Sequence, residues 1–143
     1  MVTYSGSRVQ FNKILMAYLQ TMTPEYIQGK LFSFHDRAHK LHLDTRSYAE
    51  HKALDTLYTE LVDFKDNISE KIQGYTGKII GKIKSEDIPS YSQGEPVKLV
   101  KEIAVFSKLL EDWAKSNNYC DIENIAQELS GLAAKINYLL MLR

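Results

Sequence analysis

The chain is 143 residues long, within the roughly 100–200 residues of a single domain and long enough to bury a core. Hydrophobic residues make up 44% and charged residues 25%, which excludes disordered and collagen-like chains. Eighteen basic residues balance eighteen acidic ones, which argues against a chain whose main task is to coat nucleic acid; one cysteine excludes a disulfide framework and a four-cysteine zinc site.

Three prolines and seven glycines leave room for long helices, and the apolar spacing is helical almost throughout. A first helix is predicted over 7–22, where Val9, Ile14, Leu15, Tyr18, Leu19 and Met22 recur at mixed three- and four-residue intervals. Thr23-Pro24 then reads as an N-cap followed by a proline at the first helical position, or as a kink in one longer helix. From Pro24 to Leu43, Ile27, Leu31, Phe34, Ala38 and Leu41 are spaced 4-3-4-3 and make one apolar stripe. His35, His39 and His42 form a second stripe on the adjacent face.

Asp44-Thr45-Arg46 breaks the pattern, and Ser47 with Glu50 makes a capping box. The helix that follows carries Leu54, Leu57, Leu61, Phe64, Ile68 and Ile72, and Gly74 is expected to end it after Gln73. Residues 74–95 are rich in glycine and serine and read as a long connection, with a short helix near Ser85 to Tyr91. Connections of that length are usually functional or crossovers. A helix over Pro96 to Ser116 carries Leu99, Val100, Ile103, Phe106, Leu110 and Trp113. Asp121 is expected to cap a last helix through Leu142, with Ile122, Ile125, Leu129, Leu132, Ala133, Ile136 and Leu140. The expected fold is all-α and a single domain over 1–143: a four-helix bundle in the ferritin-like arrangement, with a long crossover between helices 2 and 3 and an additional N-terminal helical segment. No apolar run approaches the roughly 18–20 residues that span a bilayer, and the first seven residues lack the basic start and apolar stretch of a signal peptide.

The four histidines crowd between positions 35 and 51. On the helix that starts near Ser47, His51, Asp55, Asp66 and Glu70 stand at offsets of 0, 4, 15 and 19, which at about 100° per residue share one arc of the surface. Imidazole with carboxylate suits iron, manganese or zinc. His51 and Asp66 are roughly 22 Å apart along the axis at about 1.5 Å per residue, so they cannot ligate one ion within one chain. A shared site requires a second, antiparallel copy, and a two-fold axis then builds two equivalent sites.

The set His39, His51, Asp55, Asp66 and Glu70 resembles the ferroxidase pattern of the ferritin-like proteins that protect DNA in starved bacteria, the Dps-type miniferritins. That resemblance implies a homo-oligomer built from dimers, up to a dodecameric shell. It also implies iron at sites shared by two-fold-related subunits, or another divalent metal, and oxidation of Fe(II) with peroxide or oxygen. Miniferritins usually have Trp after the first histidine where this chain has Lys40, and their Gly-rich turn before the second histidine is missing; either His39 or His42 takes the first ligand place. The run His39-x-x-His42-x-x-Thr45-x-Ser47-Tyr48-Ala49-x-His51-x-Ala53-Leu54, with Gln73-Gly74, is similar to small uncharacterised ferritin-like proteins of tailed bacteriophages. It implies a location in the bacterial host cytoplasm or in the virion.

Each residue also has a plainer role. Asp55, Asp66 and Glu70 make an acidic solvated face with Lys52, Lys65 and Lys71 as partners, His35 is structural, and Asp36 either orients His39 or faces solvent. Trp113 and most tyrosines are assigned to packing, and Cys120 is inert. Lys71, Lys78, Lys82 and Lys84 in the long connection are a weak signal for phosphate contacts to DNA. Two functions are expected from different classes: a metal-binding, Fe(II)-oxidising oligomer, or a phage-encoded structural or virion-associated bundle that keeps the scaffold without the activity.

Overall fold

The computed structural model describes residues 8, 10, 22–84 and 86–142. The helix predicted over 7–22 lies outside them apart from Arg8, Gln10 and Met22. Four long helices follow: α1 (Pro24–Asp44), α2 (Tyr48–Thr76), α3 (Glu95–Ser116) and α4 (Cys120–Met141). Among the described residues there is no strand.

Thr23 is extended, and its Oγ1 accepts the Tyr26 N–H at 3.1 Å. Pro24 therefore opens a new helix and does not kink an older one. The α1 stripe lies wholly inside: Ile27, Leu31, Phe34, Ala38 and Leu41 are all buried. At the start of α2 the Ser47 Oγ accepts the Glu50 N–H at 3.2 Å. Leu54, Leu57, Leu61, Ile68 and Ile72 face the same core, with Phe64 half-buried beside it. Leu99, Ile103, Phe106 and Leu110 of α3 and Ile122, Leu129 and Ile136 of α4 close it from the other side. Three-residue links, 45–47 and 117–119, turn each helix back on its predecessor, so α1 with α2 and α3 with α4 are antiparallel pairs.

Three boundaries differ from the sequence expectation. α2 runs through Gly74 and ends at Gly77, whose φ of +67° is the left-handed cap. A glycine inside a helix costs only about 1 kcal/mol, and the extra turn places Tyr75 against Tyr119, rings stacked at 4.2 Å. α4 starts at Cys120 with Tyr119 at the cap position, two residues earlier than expected, after Asn118 at φ +60°. Asp121 is therefore inside the first turn and does not cap it; its carboxylate accepts the Tyr75 hydroxyl and pairs with Lys71 at 2.9 Å. The short helix expected near 85–91 is absent among the described residues. Side chains hold that segment out along α1 instead. Glu25 accepts the Gly81 N–H at 3.3 Å, Glu86 accepts the Ser33 hydroxyl at 2.6 Å and pairs with Lys30, and the Tyr91 hydroxyl donates to Glu50 at 2.6 Å.

The Asp121 cluster predicts an acid response. The Tyr75 hydroxyl, and then Lys71, hold the Asp121 carboxyl down from 3.8 to about 2. A depressed carboxyl contributes stability that is complete above its unfolded value and is lost as pH falls through the folded one. Thermal melts of the native chain should therefore lose ground between about pH 4 and pH 2. Asp121→Asn should flatten that limb. Part of the acid dependence that remains will report Glu102, which Arg37 also holds below the usual carboxylate range.

Candidate functional site

α1 ends and α2 begins around a three-residue link, so the last turn of one lies against the first turn of the other. Here His42 and His51 clasp the two helices together. His42 Nδ1 lies 2.9 Å from the His51 carbonyl oxygen, and His51 Nδ1 lies 2.9 Å from the His42 carbonyl oxygen. The rings stack with centroids 3.8 Å apart and planes 22° from parallel. A carbonyl oxygen only accepts, so each Nδ1 carries the proton and donates it. In the neutral ring Nε2 then keeps the lone pair. A carbonyl that fixes one ring nitrogen in this way is the usual support of a metal-ligating histidine.

The sequence left His39 and His42 as alternatives for the first ligand place. The structure brings His42 to His51; His39 is exposed, 6.2 Å from His42 ring to ring, and stacks on Tyr58 at 4.4 Å. His35 approaches the same tyrosine edge-on at 6.1 Å. Asp36 does not orient His39: its carboxylate faces His35 Nδ1 at 3.2 Å. Asp55, one turn beyond His51, is half-buried, whereas Asp66 and Glu70 are exposed farther along α2. Among the described residues no group of three or more His, Cys, Asp or Glu side chains is placed to hold a metal ion.

Sequence reading missed Tyr58, which packs against His35, His39 and His42. Its signal was present: seven residues after His51 is two helical turns, hence the same face. It also missed the polar node beside the clasp. Glu50 is 1% exposed and accepts the hydroxyls of Thr45 at 2.8 Å and Tyr91 at 2.6 Å. Nothing in a capping-box pattern distinguishes a buried glutamate from a solvated one. Of the four lysines put forward for phosphate contacts, Lys71 is paired with Asp121, and Lys78, Lys82 and Lys84 are exposed. Among the described helices none is long and apolar enough to cross a membrane.

Comparison with known proteins corrects the family reading. A family model described as a family of unknown function (DUF5856) matches residues 42–140. An uncharacterised 14.6 kDa protein in the mobD-ri intergenic region of Enterobacteria phage T4 is 41% identical over 54 residues, which is 38% of this chain. The match spans 41% of that phage protein's length. No solved structure matches. These findings overturn the resemblance to ferritin-like Dps-type miniferritins; the likeness to an uncharacterised phage protein is what remains of it. Four of the five ligand-type residues at matching intervals lie on one face of α2 and the fifth, His39, on α1, and a match at so few positions does not make a family.

Proposed function

The chain belongs to the family of unknown function DUF5856, and from that premise we propose that it binds a divalent transition-metal ion at the His42/His51 clasp, in a site completed by a second copy of the chain. The observation that supports this is the pair of Nδ1-to-carbonyl hydrogen bonds, which fixes the tautomer of both rings and reserves Nε2 for a ligand. Two imidazoles are half of a four-ligand site. Asp55 lies one turn away, and Asp66 and Glu70 are too far along α2 to serve their own chain's clasp, so an antiparallel copy would supply them. The donor set suits zinc, iron or manganese. In the same reading, segment 77–94 is a crossover that carries the chain back along α1, so that α3 runs parallel to α2.

Titration of the chain with Zn(II) by calorimetry tests the reading. Affinity should fall at least about 100-fold in His51→Ala, and about 10–100-fold in an Asp66→Ala, Glu70→Ala variant. Unchanged affinity in His51→Ala rejects the clasp as the site. A chain that stays monomeric at saturating Zn(II) rejects the sharing between copies. Oxidation of Fe(II) is a separate step: two Fe(II) reduce one peroxide to two waters, with two protons taken up. If Fe(II) oxidises with peroxide no faster in the native chain than in His51→Ala, the ion is structural.

A second reading has its own support. Each ring of the clasp already bridges two helices through a backbone carbonyl, and the phage T4 protein that is 41% identical over 54 residues points to a phage context. The bundle would then be a phage scaffold or virion component in which the clasp locks a helix pair. In that case His51→Ala lowers the melting temperature and leaves Zn(II) binding unaltered.

A further inference from the structure

The seam between α1 and α3 is thinner than those of α1 with α2, α3 with α4 and α2 with α4. Along it runs a groove of about 990 Å³, bordered on α3 from Gly94 to Leu109 and on α1 by Tyr26 and Lys30. Val97, Val105 and Leu109 stand in one row at four- and eight-residue intervals and give the groove its apolar wall, with Val105 62% and Tyr26 41% exposed. Lys30, Lys98 and Lys101 line this wall against one acid, Glu102, which the Arg37 guanidinium holds at 2.6 and 3.3 Å. Lys30 pairs with Glu86 at 3.4 Å and Lys98 reaches Glu95 only at 4.0 Å, so the basic excess rests on Lys101 and the largely exposed Lys98.

We propose that this groove docks an acidic amphipathic helix of another protein. Three features select that occupant. The α3 border spans about four turns, or roughly 22 Å, the length of a helix segment that buries one apolar stripe in a groove. The i, i+4 row offers the ridge that such a stripe packs against. The lysine rim asks for carboxylates flanking the stripe, and charge complementarity of this kind sets orientation and partner choice. A second copy seated groove to groove would face lysine with lysine, because a two-fold contact pairs a surface with itself.

The test uses the full chain and a labelled helical peptide of about sixteen residues, with leucines at three- and four-residue spacing and glutamates beside them. A matched peptide carries lysine at every glutamate position. Fluorescence anisotropy should show the acidic peptide binding at least about tenfold more tightly than the basic one. Val105→Asp, at an exposed position, should weaken the acidic peptide at least about tenfold while the melting temperature holds. A Lys98→Glu, Lys101→Glu variant should reverse the preference. Equal affinity for the two peptides, binding indifferent to Val105→Asp, or a groove occupied by a second copy, seen as a dimer that Val105→Asp dissociates, each overturns the proposal.

Discussion

Phe34→Ala is expected to destabilise the bundle by about 3–5 kcal/mol, the range for deleting a buried aromatic ring. The ring is fully buried at the middle of the α1 stripe and meets Phe106 of α3 edge-on, centroids 5.3 Å apart and planes at 77°. Such a pair adds about 0.5–1.5 kcal/mol beyond its area. The loss falls on a seam thinner than those within the two antiparallel helix pairs. For a chain of this length a loss of that size should lower the melting temperature by roughly 10–15 °C. Phe34→Leu keeps most of the volume and should cost about 1–2 kcal/mol. Phe32, two residues away, is the control. It is 39% exposed with the Lys65 ammonium 4.4 Å from its ring centroid, and Phe32→Ala should cost about 1 kcal/mol or less. Equal losses at the two positions would mean that the α1 stripe does not face the core.

That contrast marks what the sequence made legible. Phe34 belongs to the 4-3-4-3 series and Phe32 does not, and burial follows the same 3.6-residue period that spaces the series. The inward faces of all four helices could be read for this reason. Helix ends were harder, because they depend on contacts from elsewhere in the chain. Gly74 and Gly77 are equally good terminators locally. Tyr75 decides between them, since its place against Tyr119 and Asp121 requires one more turn. Asp121 reads as a cap until Tyr75 and Lys71 claim its carboxylate. The stretch near 85–91 reads as a short helix until Ser33, Lys30 and Glu50 pull its side chains along the bundle.

The candidate site was half legible for a related reason. The histidine stripe and the crowding with His51 are properties of local spacing. Which histidine meets His51 depends on how tightly the link turns, and a three-residue turn brings the last helical turn, His42, into register. The ferritin-like resemblance failed for a different reason: it rested on a few ligand-type positions in α1 and α2, whereas a family is a pattern over most of the chain, and over residues 42–140 that pattern is another family's. Metal binding survives as a proposal because the clasp supports it independently of that resemblance.

The largest polar effect is expected at Glu50. One carboxylate oxygen accepts the hydroxyls of Thr45, from the α1–α2 link, and Tyr91, from the segment that leads to α3. Three parts of the chain therefore meet on one side chain that is 1% exposed. Hydrogen bonds to a charged group contribute about 1.5–3 kcal/mol each, and a buried hydroxyl left without an acceptor carries its own desolvation cost. Glu50→Ala should destabilise by about 2–4 kcal/mol in a denaturant melt. Tyr91→Phe removes one donor and leaves the carboxylate with Thr45, so it should cost only about 1–2 kcal/mol. Hydrogen exchange then separates a local fastening from a global one. If the node fastens the segment, Tyr91→Phe should speed exchange of the Gly81 amide, which donates to Glu25, and leave the amides of Leu54 and Leu57 in α2 as slow as before. Exchange that rises equally in both places would show that Tyr91 supports the whole bundle, with segment 77–94 and the four helices opening as one unit.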